Sequence, residues 1–261
     1  MIIFVFCKKQ NIKQYKYKNK NQKIMGCFLT DSSLGRKLVM SISGCFLVLF
    51  LLFHMSMNLV ALVDLYAGEG QGPFGLSYNG ICEFLGTNWY ALAGTLVLAL
   101  GVVVHIVFAV ILTLQNRKAR GNVRYAVTVK EEGVSWASKN MLVLGVIVAL
   151  GLGMHLCHFW AKMQLVELLG EEPESGVAII AETFSHWFIV VLYLVWFAAI
   201  WFHLTHGVWS MFQTAGWAND KWYCRLKCAA NIVATLICLG FAAVAVCFYI
   251  HSVCPCCGGC C

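Results

Sequence analysis

The sequence predicts an all-α protein: a bundle of five transmembrane helices, N-terminus in the cytoplasm and C-terminus outside. Three observations lead there. Of 261 residues, 60% are hydrophobic and only 12% charged, about half the charge of an ordinary soluble domain. Mean hydropathy is +0.75. The apolar residues fall into five runs, each near the ~20 residues that a helix needs to cross a bilayer. Barrel strands need only about ten residues and many turns. These runs are too long for that, and the chain has only three prolines.

The elements follow in order. Residues 1–24 are rich in Lys, Asn and Gln after a short apolar start, a composition that predicts a disordered extension. The apolar part, 2–7, is too short for a signal peptide. Met25 is a candidate start, because the readable pattern begins just after it. Residues 25–253 form the membrane domain and 254–261 a Cys-rich tail. Thr30-Asp31-Ser32-Ser33 offers N-cap side chains for an amphipathic turn that carries Arg36 and Lys37 at the membrane surface. Helices are expected at about 38–63, 90–114, 141–165, 186–212 and 229–252. Residues 64–89, with Gly68, Gly70, Gly72, Pro73, Gly75 and Gly80, read as a loop. No internal repeat is evident.

Charge sets the predicted orientation. The N-terminal segment and the stretches 115–140 and 213–228 carry every Lys and Arg except Lys162. Residues 64–89 hold Asp64, Glu69 and Glu83 and no basic residue. The positive-inside rule therefore puts the N-terminus in the cytoplasm. A net charge of +7 then needs no nucleic acid; the basic face meets anionic lipid headgroups or a cytoplasmic partner.

Fourteen cysteines are present. Cys45, Cys157, Cys238 and Cys247 lie in apolar runs and can pack as small hydrophobes. No Cys-x-x-Cys-His occurs, so covalent haem attachment is not expected. Cys254, Cys256, Cys257, Cys260 and Cys261 read as an inert tail, with redox or lipid chemistry and metal binding as open alternatives.

The chemistry sits on histidines. The stretch Ile200-Trp201-Phe202-His203-Leu204-Thr205-His206-Gly207-Val208-Trp209 lies deep in an apolar run. His54, His105 and His155 lie in three other runs. A polar ring at membrane depth is costly without a partner or cofactor. Four such imidazoles on four helices are what two bis-histidine haems require. Measured from the predicted cytoplasmic ends at 1.5 Å per residue, His54 and His155 lie roughly 21–24 Å deep, and His105 and His203 roughly 14 Å. That predicts two stacked pairs. Gly101, Gly151 and Gly207 each lie four residues from a candidate ligand. They leave room for a porphyrin edge or serve close helix packing. His158 and His206, three residues beyond His155 and His203, can replace their neighbours as ligands. His186 and His251 read as interfacial.

The run SSLGRK at 32–37, GCFLVLFLLFHMSMNLV around His54, VVVHIVFAVILTLQNRKAR after Gly101, LGMHLCHFWAKMQ around His155 and WFHLTHGVWSMFQTAGW around His203 resemble the cytochrome b558-type membrane subunit of succinate dehydrogenase and fumarate reductase. The likeness runs from about Thr30 into the fifth helix and is strongest to bacterial single-subunit anchors. It implies two haem b groups, with His54 and His155 on the outer iron and His105 and His203 on the inner one. It implies menaquinone as substrate, and flavoprotein and iron–sulfur subunits as partners on the cytoplasmic face of a bacterial inner membrane. The dicarboxylate site lies on a partner, because nothing here resembles a flavin or iron–sulfur motif. Glu83 falls near where some members carry a quinol-site acid, and reads otherwise as a solvated loop residue. Where some members carry a glutamate two residues before the fourth ligand, this chain has Trp201, which puts a proton path there in doubt. Two other readings stay open: the cytochrome b subunit of a hydrogenase or formate dehydrogenase, and a His/Cys-using transporter, which predicts no haem.

Overall fold

The computed structural model describes residues 32–71, 75–121, 136–217, 219 and 221–254. The extension 1–24 and the tail cysteines beyond Cys254 lie outside them. Every regular element among the described residues is helical. Five stretches are long and apolar enough to cross a membrane, with mean hydropathy between 2.1 and 2.9. They are α1 (Ser33–Ala67), α3 (Trp89–Arg120), the segment Met141–Leu168, α8 (Trp187–Thr214) and α9 (Tyr223–Val253).

Each start has a local cause. Ser32 caps α1 by accepting from the Gly35 N–H at 2.9 Å. The cap therefore opens one continuous helix, and the separate surface turn expected around Arg36 does not form. Asn88 caps α3 through the Tyr90 N–H at 3.0 Å. Gly68, with φ of 100°, ends α1 in a conformation that favours glycine.

Two short helices replace expected loops. α2 spans Tyr78–Thr87 and α7 spans Gly176–Phe184, capped by Ser77 and Ser175. In α2, Tyr78 and Ile81 are buried, with Cys82 and Leu85 packed beside them; this is i, i+3, i+4, i+7 spacing. In α7, Gly176, Ile179, Ile180, Thr183 and Phe184 are buried at the same spacing. The glycines ahead of α2 and the glutamates ahead of α7 mask two turns of amphipathic helix.

These helices meet. The Asn79 side-chain oxygen accepts from Ser175 Oγ at 3.0 Å and from the Val177 N–H at 3.2 Å. Asp64, on the last turn of α1, accepts from the Gly70 N–H at 3.2 Å and the Tyr78 N–H at 2.6 Å. The end of α1, the start of α3, the end of Met141–Leu168 and the start of α8 therefore share one end of the bundle. Among the described residues that end carries Asp64, Glu69, Glu83, Glu167, Glu171, Glu172, Glu174 and Glu182, against a single cation, Lys162. Lys162 pairs with Glu182. The opposite end carries Arg36, Lys37, Arg117, Lys118, Lys139, Lys221, Arg225 and Lys227.

Packing is uneven. α8 and α9 lie along each other and along α1, and 33% of each of their spanning windows is buried, against 0% in α3. Tyr193, Ile237 and Phe248 are the large side chains sealed in that core, with Ile179 and Ile180 of α7 closing it. Trp201 Nε1 donates to Thr235 Oγ1 of α9 at 2.9 Å, and Trp196 Nε1 to the Val148 carbonyl at 3.1 Å. Interhelical bonds in membrane proteins average about 0.6 kcal/mol; these orient two helix pairs more than they stabilise them.

Met141–Leu168 is not uniform. It follows the single turn α4 (Trp136–Lys139), begins as α5 (Met141–His155), widens into a π-helix over Leu156–Leu165, and ends in the short α6 (Val166–Leu168). The contact of α5 with α8 turns on Gly151, where a side chain would run into the Trp196 indole. Gly151→Val is therefore expected to lose about 1–3 kcal/mol by overpacking, read as a lower thermal midpoint in detergent. Cys82, half-buried on α2, has its thiol pushed up to about 11 by burial, with the Tyr78 hydrogen bond pulling the other way. At pH 8 it stays protonated and unreactive. Maleimide at pH 8 should modify the exposed Cys224 and Cys228 well before Cys82, as peptide mass spectrometry would show.

Candidate functional site

The four histidines meet as two pairs. His54 on α1 faces His155 on α5, ring centroids 5.9 Å apart and planes 81° to one another. His105 on α3 faces His203 on α8, centroids 6.4 Å apart and planes at 65°. The pairs occupy different levels. Ser43, which touches His105, precedes His54 on the same helix by a rise of about 16 Å. The His54 pair lies nearer the acidic end and the His105 pair nearer the basic end.

Both pairs bridge helices that do not lie side by side. α1 packs along α3, α8 and α9 but not along α5; α3 packs along α1 and α2 but not along α8. The rings thus reach towards each other across gaps in the bundle.

Their surroundings are apolar and aromatic. Phe50 stacks on His54 at 5.3 Å and 13°, and Phe241 of α9 lies 5.6 Å from it. Trp196 and Phe159 flank His155 at 5.8 and 5.1 Å. Around the second pair the neighbours are small. A Cβ at Gly44 would stand 3.4 Å from His105 Cε1, and one at Gly145 would stand 3.7 Å from His203 Cε1. These two glycines were not singled out from the sequence. Neither lies four residues from a ligand on its own helix; each sits on a neighbouring one, and one-dimensional spacing does not report that. Of the three that were, Gly101 abuts Phe46 and Gly151 abuts Trp196, so both serve helix packing; nothing stands within 4 Å of the Gly207 position.

The ring nitrogens differ in their partners. His105 Nδ1 lies 3.1 Å from Ser43 Oγ. His203 Nδ1 is buried without a hydrogen-bond partner. His54 Nδ1 is 3.5 Å from the Asn58 amide nitrogen, too long to fix a tautomer. That amide donates instead to the His54 carbonyl at 2.8 Å.

The remaining candidates separate from the pairs. A π-helix advances less around its axis per residue than an α-helix, so residues three apart diverge on its surface. His158 accordingly turns to Tyr193, with Nδ1 3.1 Å from the hydroxyl and the rings stacked at 5.9 Å, while His155 faces His54. The ring opposite His105 is that of His203, and His206 stands one turn further along α8. His186 is exposed at the start of α8. His251 is on the last turn of α9, with Nδ1 buried and unpartnered. Glu83 is exposed on α2 rather than in a loop, at the same end of the bundle as the His54 pair.

The donor set suits haem b. The ring centroids of the two pairs, 5.9 and 6.4 Å apart, leave room for one iron to be shared between the imidazoles of each pair. Among the described residues no group of three or more His, Cys, Asp or Glu is placed to hold a metal ion. His54 with His155, and His105 with His203, would each offer a haem iron two imidazole nitrogens from two different helices. No protein-family model, curated protein or solved structure matches the chain.

Proposed function

We propose that this chain is a dihaem cytochrome b, the membrane anchor and quinone-reactive subunit of a succinate:quinone oxidoreductase. The observation that carries the reading is the pair of facing imidazoles at each of two levels, across gaps between helices. His54 and His155 would hold one haem, and His105 and His203 the other. When bound, each haem supplies a one-electron couple, and two at different levels form a path across the membrane. The resemblance of the histidine-bearing stretches to the succinate dehydrogenase and fumarate reductase anchors supports the particular complex.

The chain's own residues would do the following. The four imidazoles bind and orient. Phe50, Phe159, Trp196 and Phe241 keep water from the His54 pair. The basic end, with Arg117, Lys118, Lys139, Arg225 and Lys227, faces the cytoplasm under the positive-inside rule and meets an iron–sulfur subunit, itself joined to a flavoprotein that interconverts succinate and fumarate. Menaquinol oxidation releases two electrons and two protons. On this reading Glu83, exposed at the same end of the bundle as the outer pair, takes a proton on its carboxylate. Trp201 cannot, since its indole is a donor only and is committed to Thr235. The setting is the inner membrane of a bacterium, with lipid around the bundle and no nucleic acid.

The purified complex should show a b-type spectrum with two haems per copy of this chain. His54→Ala and His105→Ala should each remove one haem and leave the other, by pyridine haemochrome quantification. His158→Gln and His206→Gln should leave both. A folded, haem-free protein overturns the proposal. Glu83→Gln should lower menaquinol turnover at least tenfold, with haem content unchanged. Equal turnover in the variant removes Glu83 from the reaction.

A further inference from the structure

The Ser43–His105 contact determines more than a distance. Ser43 is 8% exposed, on the face of α1 turned to α3. Its Oγ lies 3.1 Å from the Met40 carbonyl and 3.1 Å from His105 Nδ1. A hydroxyl has one proton to give and two lone pairs to accept with. A carbonyl can only accept. If Ser43 gave its proton to His105, the Met40 contact would carry no hydrogen bond. If it gives the proton to Met40, the oxygen accepts from a protonated Nδ1, and both contacts become hydrogen bonds. In a low-dielectric interior the second arrangement wins, because it leaves no donor unmet. Gly44, the next residue, leaves van der Waals room for the ring edge, so the imidazole can sit against α1 without pushing the hydroxyl away.

We infer that Ser43 is a positioning residue. It holds the proton of His105 on Nδ1, keeps the Nε2 lone pair free, and orients the ring across the gap to His203. The inference rests on the dihaem reading for what Nε2 binds. An acceptor on the far nitrogen of a ligating imidazole makes the ring more electron-donating and favours ferric over ferrous iron. His203 Nδ1, buried without a partner, has no such support. Ser43 therefore tunes this pair from one side only, and the His54 pair lies out of its reach.

The test is potentiometric titration of the intact complex carrying Ser43→Ala or Ser43→Thr, with His105→Ala identifying the couple that belongs to this pair. Ser43→Ala should shift that couple about tenfold towards the ferrous form, about 59 mV upward for one electron. It should also lower occupancy of that haem alone. Ser43→Thr keeps the hydroxyl and should restore both. Retention of the other haem at its wild-type potential reports that each variant is folded. An unmoved couple in Ser43→Ala overturns the inference while leaving the dihaem reading intact, and so does an alanine shift that threonine fails to reverse. A wild-type complex with no haem removes both.

Discussion

A neutral imidazole in hydrocarbon carries a donor and an acceptor that water cannot reach, and the structure depends on how four of them are answered. Leaving such groups unmet costs several kcal/mol in an apolar medium. Here the answer is mutual placement. The rings face each other in twos, with centroid separations of 5.9 and 6.4 Å, too far apart to hydrogen-bond to one another and suited to sharing one metal ion. The bundle is consistent with that use. The two helix pairs that carry facing histidines, α1 with α5 and α3 with α8, are not among those that pack along each other.

The division of labour follows. α1, α8 and α9 form the packed frame, sealed around Tyr193, Ile237 and Phe248. Two of them carry one histidine of each pair, His54 and His203. The other two histidines sit outside that frame: His105 on α3, which packs along α1 and α2, and His155 at the end of α5, which packs along α8 and widens there into a π-helix. Asp64 ties the end of α1 to α2, and Asn79 ties α2 to α7. Polar side chains thus secure the ends where apolar packing between the spans is thin.

The two pairs also differ in what surrounds them. Aromatic rings enclose His54 and His155, whereas Ser43, Gly44 and Gly145 border His105 and His203. An apolar wall and a hydroxyl partner act on a ligated iron in different ways, through solvent exclusion and through ligand basicity. On the dihaem reading, two sites with the same pair of imidazole donors would therefore differ in potential.

The sequence alone determined the helical class, the five spans and the depth of each candidate ligand. Composition and the 1.5 Å rise per residue act locally along one chain, and a run of apolar residues has no other way to satisfy its backbone in lipid. It also showed that His54 and His155 share one level and His105 and His203 another. Only the tertiary structure decided what surrounds each ring. The contacts of His105 with Ser43 and Gly44, of His203 with Gly145 and of Gly151 with Trp196 all join different helices. Rotation about a helix axis, set by packing between neighbours, selects which residues meet. The helices α2 and α7 were hidden for the same reason: two turns of helix are marginal in isolation, and each exists because the bundle buries its apolar face.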